Sequence, residues 1–269
     1  MQNVEIIELS ATDPDPALAA DAGVSLVGVT ERRAQAPDRS LVLARQGSVM
    51  ARLSCWWNAT PMHEGHNLGV IGHYAAGSLE AGTYLLERAC DLLTARGRRL
   101  AVGPMDGNTW RRYRFVVERG AEPPFALEPD NPDEWSAHWT TAGFAEMATY
   151  ASAMNDTLGE VDARTDRSLD RLASHGIRIT TLDLDRVELT LERIYQLSVS
   201  AFTANFLYTP IGRDEFIGQY RAVLPYVRAT AARYALAEPW EGTEISLCPI
   251  DRNPVSLGAA TLVLEGFLS

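Results

Sequence analysis

The sequence contains no lysine, since all 24 basic residues among its 269 are arginines. This absence excludes chemistries that need a lysine amine, namely pyridoxal Schiff bases, lysine aldolases, Walker A phosphate loops and the strand lysine of protein kinases. Acidic residues number 35, so the formal net charge is −11. Binding to nucleic acid phosphates needs clustered positive charge, which this composition does not favour. A small or cationic partner fits the charge balance better.

Cysteine and long hydrophobic runs are also scarce. The three cysteines, Cys55, Cys90 and Cys248, lie far apart and form no CxxC pair, so neither a disulfide framework nor a zinc cluster is indicated. No apolar run approaches the roughly 18–20 residues of a membrane span, and the N-terminal region is acidic where a secretory signal would be positive. We therefore expect a cytoplasmic protein without a membrane segment.

The apolar content is sufficient for a large core, because 46% of the residues are hydrophobic. At this length one large domain or two modest domains are expected. We predict a first domain over residues 1–155, a polar linker over 156–176 and a second domain over 177–269.

The first half alternates strand and helix patterns. A helix is predicted over 78–95, where apolar residues recur at helical spacing and Gly97 follows as a stop signal. A long loop is predicted over 104–132, which is rich in glycine, asparagine and proline, and a short helix over 132–141. Strands are predicted over 4–9, 41–45, 48–57, 68–74, 99–103 and 145–154.

The second half begins with a predicted strand over 177–184. Two helices follow, over 186–204 and 212–224, and the first of them has a broad apolar face. Two further strands are predicted over 232–238 and 243–248.

Two stretches resemble the GNAT acyltransferase superfamily. They are GVIGHYAAGSLEAGTYLLERACDLLTARGRRLAVGPMDGNTWRRYRF and EPDNPDEWSAHWTTAGFAEMATY. The segment NFLYTPIGRDEF resembles the opening of another such unit. The resemblance implies an α/β protein with a GNAT-like mixed sheet flanked by helices, in a tandem arrangement with a partial second unit.

The resemblance also implies an acetyl-CoA site where two parallel strands separate. Backbone amides around Val70 and Gly72 would hold the thioester, and the pyrophosphate would lie at the start of the following helix. Glu80 places a carboxylate where the family has a phosphate-binding glycine, and its negative charge would disfavour CoA binding. The site is kept if Glu80 points to solvent and Ser78 caps the helix. The residues that correspond to the phosphate loop are Gly77, Ser78 and Gly82; Arg111, Arg112 and Arg114 are alternative phosphate ligands.

In the family, an asparagine and a tyrosine after the fifth strand contact the cofactor and protonate the leaving thiolate. The corresponding candidates are Asn108 and Tyr113, and the alternative is that Tyr113 only anchors its loop to the sheet. The general base for an amine is left open among Glu64, Glu118 and Glu128.

Three histidines carry weaker signals. His63 and His66 have a ligand-like spacing, but Pro61 and Gly65 disfavour the helix that would align them, so we predict no metal site. His73 lies in a predicted strand beside the proposed cleft, where it is either a cleft residue or a structural histidine with satisfied hydrogen bonds.

These observations predict an acyl-CoA-dependent N-acyltransferase that transfers an acetyl group to the amine of a small molecule. The alternative is a catalytically inactive GNAT-like scaffold that binds a metabolite or a protein. A third interpretation is an assembly subunit, because an unfinished sheet has an open edge that favours association into a homo-oligomer.

Overall fold

A computed structural model describes residues 3–121, 124, 128–153, 163–178 and 186–221. It divides into two compact units, one formed by residues 1–149 with 205–209 and the other by 150–204 with 210–269. The predicted domain bounds stay a prediction. None of the described helices is long and apolar enough to cross a membrane.

The first unit is built on a mixed sheet of six strands. Its strands are β1 (Glu5–Leu9), β2 (Ala19–Ala20), β3 (Arg39–Arg45), β4 (Ser48–Trp56), β7 (Gly69–Ala76) and β8 (Ala101–Val102). The main path of the sheet runs in the order β1, β3, β4, β7, β8, with β2 paired to β4. All pairs along the main path are antiparallel except the parallel pair of β7 and β8. A separate hairpin pairs β5 (Met62–His63) with β6 (His66–Asn67).

Turn chemistry explains the hairpin between β3 and β4. Gln46 and Gly47 both adopt positive φ, which gives the turn the twist that antiparallel strands require. The strands predicted over 4–9, 41–45, 48–57 and 68–74 are confirmed. The strand predicted over 99–103 is shortened to Ala101–Val102.

The long helix α2 (Leu79–Ala95) covers one face of the sheet. Its buried residues Leu85, Leu86 and Leu93 pack against Leu53 and Ile71 of the sheet. The short helix α3 (Trp135–Thr141) adds Trp139 to this core. Both helices were predicted, and the helical period of their apolar residues accounts for them.

The opposite face is covered by residues 10–28 and by α1 (Val29–Gln35), a helix that was not predicted. Arg32 is only 1% exposed and holds this covering segment in place. Its guanidinium pairs with Asp15 at 2.6 Å and donates to the carbonyl oxygens of Ser10, Asp13 and Val27. A buried cation with this many partners fixes the loop on the sheet.

The strand predicted over 145–154 is wrong for its described part. Residues 144–153 form no strand, and Met147 and Tyr150 are 43% and 48% exposed. A strand needs a neighbour to satisfy its backbone, and no described strand pairs with this segment.

The second unit is helical where it is described. It contains α4 (Ala163–Ser174), α5 (Val187–Ala201) with a short 3₁₀ turn at Phe202–Ala204, and helical residues 213–221. Phe216 is buried against Tyr195, and the Arg213–Glu192 and Arg221–Glu188 ion pairs join the helical residues 213–221 to α5. The predicted helices over 186–204 and 212–224 are thus confirmed where described, whereas the strands over 177–184, 232–238 and 243–248 fall wholly or largely outside the described residues.

Candidate functional site

The candidate site lies where the parallel pair of β7 and β8 ends. The two strands pair only at Gly69 with Ala101 and at Val70 with Val102. Strand β7 then continues to Ala76, whereas β8 ends at Val102. Val70 and Gly72, both predicted to hold a thioester, therefore lie at this point of separation.

The chain that leaves β8 returns along the edge of β7. The amide of Met105 donates to the carbonyl of Ile71 at 2.9 Å, and the amide of His73 donates to the carboxylate of Asp106. A side chain at Gly72 would overlap the carbonyl oxygen of Met105, so only glycine permits this approach. The carbonyl of Ile71 and the amide of His73 are consequently hydrogen-bonded to Met105 and Asp106 of the loop after β8.

His73 forms a bulge in β7. Its φ is +51°, and the register between β4 and β7 shifts between Arg52 and Ser54. The bulge changes which face each following side chain occupies. Tyr74 consequently packs on the α2 side, and the His73 side chain lies on the α1 side with Ser54.

The His73 ring is fully hydrogen-bonded. Nδ1 lies 2.9 Å from Ser54 Oγ and Nε2 lies 2.9 Å from the side-chain oxygen of Gln35. Because that amide oxygen only accepts, Nε2 carries the proton and Nδ1 accepts from Ser54. Burial, with the nearby Arg52 guanidinium, lowers the pKa of His73 to about 3. His73 is therefore a neutral structural histidine, one of the two alternatives that the sequence left open.

Asp106 is the carboxylate beside β7, and sequence reasoning assigned it no role. Burial raises its pKa, against the opposing effect of the His73 amide and of the Arg112 and Arg52 guanidiniums. The desolvated carboxyl is thus a better proton acceptor than an exposed one. An aspartate in a Gly-Asn-rich loop gives no sequence signal that separates it from an ordinary turn residue.

Two of the three arginines predicted as alternative phosphate ligands, Arg111 and Arg114, have other side-chain contacts, and Arg112 is exposed. Arg111 donates from Nη1 to the backbone oxygens of Gln35 and Asp106 at 3.0 and 3.1 Å. Arg114 donates to the Tyr113 hydroxyl at 2.9 Å. The Arg111 contact joins the loop after β8 to the end of α1, and the Arg114 contact lies within that loop.

The start of α2 contains the three residues predicted to contact a pyrophosphate. The amide of Gly77 donates to Met50, and Ser78 caps the helix by accepting from the amide of Ala81 at 3.3 Å. A side chain at Gly82 would overlap the hydroxyl of Tyr74, so close packing accounts for that glycine. Glu80 is exposed, as the predicted arrangement with a Ser78 cap requires.

The structure places Tyr113 near the separation point and gives Asn108 a local role. Tyr113 forms a bridge with Met105 and packs against the buried cluster of Trp56, Val70 and Met105. The amide of Trp110 donates to the side-chain oxygen of Asn108 at 2.9 Å, which stabilises a turn. Asp106 and Tyr113 therefore lie on facing segments of one short ladder, since the Asp106 amide also donates to the Arg112 carbonyl.

The carboxylates predicted as general bases are less well placed. The Glu64 side chain is 79% exposed, in the turn between β5 and β6, and Glu118 is exposed in the loop after Tyr113. Glu128 is half-buried in the same loop. Among the described residues, no group of three histidine, cysteine or acidic side chains could hold a metal ion.

Comparison with known proteins gives one curated relative. A bacterial ceramide synthase of Caulobacter vibrioides is 26% identical over 153 residues, which are 56% of this chain and 40% of that protein. The chain thus spans less than half the length of this relative. No protein-family model and no solved structure matches the sequence.

Proposed function

We propose that this protein is an N-acyltransferase that moves an acyl group from a CoA thioester to the amine of a small molecule. The name of the relative supports this class of reaction, because a ceramide is a fatty-acyl amide of a long-chain amino alcohol. The mixed sheet with its parallel pair of β7 and β8 is compatible with a GNAT-like fold.

The contact between Asp106 and the His73 amide is the observation that carries the proposal. In acyl transfer, a backbone N–H that points at the reacting carbonyl stabilises the negative charge that develops on its oxygen. Asp106 now occupies the His73 N–H. When the donor binds, its thioester oxygen replaces the carboxylate there, and the released carboxylate stays beside the reacting carbon as a general base.

The acyl group moves by direct attack of the amine on the bound thioester. The amine nitrogen forms a bond to the carbonyl carbon, and the carbon–sulfur bond breaks with its electron pair leaving on sulfur. Asp106 accepts the proton that the amine loses, and Tyr113 donates its hydroxyl proton to the thiolate. Exchange with solvent returns both side chains to their starting forms.

The start of α2 is the proposed position of the donor's phosphates. A helix of 17 residues has a positive N-terminal end, and exposed residues Gly77 and Ser78 lie at it. Val70 and Gly72 would border the acyl group, and Gly82 would act only by allowing α2 to approach Tyr74.

The test is a turnover assay that follows release of the CoA thiol from acetyl-CoA in the presence of a panel of amines. Asp106→Asn should lower kcat by roughly 10²–10⁴-fold, the typical contribution of a general base. Tyr113→Phe should lower kcat with little change in the affinity for the donor. Asp133→Asn serves as the matched control, because Asp133 pairs with Arg119 on the surface. Equal turnover in the Asp106 variant and this control would contradict the mechanism.

A second function is favoured by the occupied edge of β7. Because Met105 and Asp106 already fill the positions beside residues 71 and 73, the same geometry suits a scaffold that binds a metabolite or a protein without catalysis. The two proposals differ for Asp106→Ala, which frees the His73 amide. An acyltransferase should then bind acetyl-CoA roughly fivefold tighter, about the value of one hydrogen bond, whereas an inactive scaffold should show no change.

A further inference from the structure

Residues 205–209, with the sequence NFLYT, form a segment that we call the strap. The strap belongs to the first compact unit, although the residues on both sides of it belong to the second. A short segment that joins one unit while its neighbours join another can leave its position without unfolding a strand or a helix.

Aromatic and polar contacts hold the strap on the first unit. The indole N–H of Trp110 donates to the carbonyl of Thr209 at 2.9 Å, and the rings of Trp110 and Tyr208 meet edge to face at 6.1 Å. The ring of Phe206 meets His63 of β5 at 5.7 Å in the same manner. These contacts place the strap across the loop after β8 and across the β5–β6 hairpin.

Leu207 is the residue that the strap inserts. It has a φ of +54°, a left-handed conformation that leucine rarely adopts, and its side chain packs against the buried cluster of Trp56, Val70 and Met105. The indole N–H of Trp56 donates to the carbonyl of Gln35, so it needs no partner from the strap. The surface that receives Leu207 is therefore apolar.

Met105 connects this apolar surface to the proposed reaction centre. Its backbone amide is bonded to Ile71 at the separation of β7 and β8, while its side chain lies in the cluster that receives Leu207. Tyr113, the proposed acid, packs against the same cluster. An apolar group that extends from the reacting atoms past Met105 would reach the position of the Leu207 side chain.

We propose that Leu207 occupies the subsite for an alkyl chain of the substrate, and that the strap lifts when a ligand with such a chain binds. This inference rests on the proposed acyltransferase function. The chain belongs either to the acyl group of the donor or to the amine. In both cases the ligand is an unbranched hydrocarbon chain attached to the reacting group.

The experiment is a calorimetric titration of wild type and Leu207→Ala with two ligand series. One series is acetyl-, butyryl-, hexanoyl- and octanoyl-CoA, and the other is the n-alkylamines from two to eight carbons. Removal of the leucine leaves a space that the first added methylenes can fill, each worth roughly fourfold in affinity. We expect the affinity to depend steeply on chain length in Leu207→Ala. In wild type the dependence should be flatter, because the alkyl chain of the ligand must displace Leu207. Leu189→Ala, an exposed leucine of α5, is the control and should behave as wild type.

The two series separate the sources of the chain, since only the series that supplies it should steepen. Leu207→Phe, which fills the subsite further, should weaken binding of the long chains. In wild type, hydrogen exchange of residues 205–209 should increase with the longest ligand of that series and not with its shortest. Acetyl-CoA binding with equal chain-length dependence in wild type and Leu207→Ala would overturn the subsite and leave the proposed function standing. If neither protein binds acetyl-CoA but the amine series shows a steeper chain-length dependence in Leu207→Ala, only the assignment of an acyl-CoA donor is overturned. If neither protein binds either series, the proposed function and the subsite are both overturned.

Discussion

Lowering the pH from 7 to 5 should destabilise the first unit through His73. In the folded protein the ring is buried between Ser54 and Gln35, and its pKa is lowered from 6.5 to about 3. Below pH 6.5 the unfolded chain takes up a proton that the folded chain refuses. The contribution of the neutral His73 to the free energy of unfolding is therefore fully present above pH 6.5, and it is lost progressively as the pH falls from 6.5 towards 3.

The magnitude follows from the difference between the two pKa values. Each pH unit in this range costs about 1.4 kcal/mol, so the His73 contribution lost by pH 5 is about 2 kcal/mol. The variant His73→Asn removes the titrating group, and asparagine tolerates the left-handed backbone at this position. Because all other titrating groups are shared, the difference in pH dependence between the two proteins isolates His73.

The assay is urea unfolding at several pH values between 5 and 8, followed by tryptophan fluorescence. Five of the six tryptophans lie within residues 1–149, so the signal reports mainly on the first unit. The stability of wild type should fall faster than that of His73→Asn as the pH decreases below 6.5. Parallel pH dependences in the two proteins would refute the assignment of a neutral buried histidine.

Other substitutions test the packing around the site by the same unfolding assay. Gly82→Ala should cost about 1–3 kcal/mol, because the new methyl overlaps the buried Tyr74 hydroxyl; an unchanged stability would show that α2 does not pack so closely. Ser78→Ala should cost about 1 kcal/mol through loss of the α2 cap, and no loss would exclude the cap. Arg32→Met should cost about 1–3 kcal/mol, since it leaves three backbone carbonyls without their donor, whereas Asp15 is 38% exposed and still accepts from the Val29 amide. The exposed neighbour variant Arg33→Met is its control, and equal effects would contradict the buried clamp.

Local sequence signals were sufficient for the elements that local physics determines. The strands predicted over 41–45 and 48–57 correspond to β3 and β4, and the apolar period with Ser78 and Gly97 predicted α2. The strand predicted over 145–154 is wrong for residues 145–153, because an apolar pattern alone does not decide whether a segment joins a sheet. Helix α1 was missed because long-range contacts of Arg32, rather than an apolar stripe, hold it in place.

The candidate site was only partly predictable for the same reason. The resemblance directed attention to Val70, Gly72 and Tyr113, which the structure places together at the end of the parallel pair. The position of Asp106 depends on a glycine at residue 72 and a bulge at residue 73, which no local pattern encodes. Leu207 packs against a cluster that contains Val70, 137 positions earlier in the chain, a contact that only the folded structure reveals.

We propose that the end of the β7–β8 pair binds an acyl-CoA donor through the His73 amide. Calorimetric titration of wild type and Asp106→Ala with acetyl-CoA tests it most directly. We expect micromolar binding to wild type and roughly fivefold tighter binding to the variant, which exposes one more hydrogen-bond donor. Absence of binding at millimolar acetyl-CoA in both proteins would contradict it.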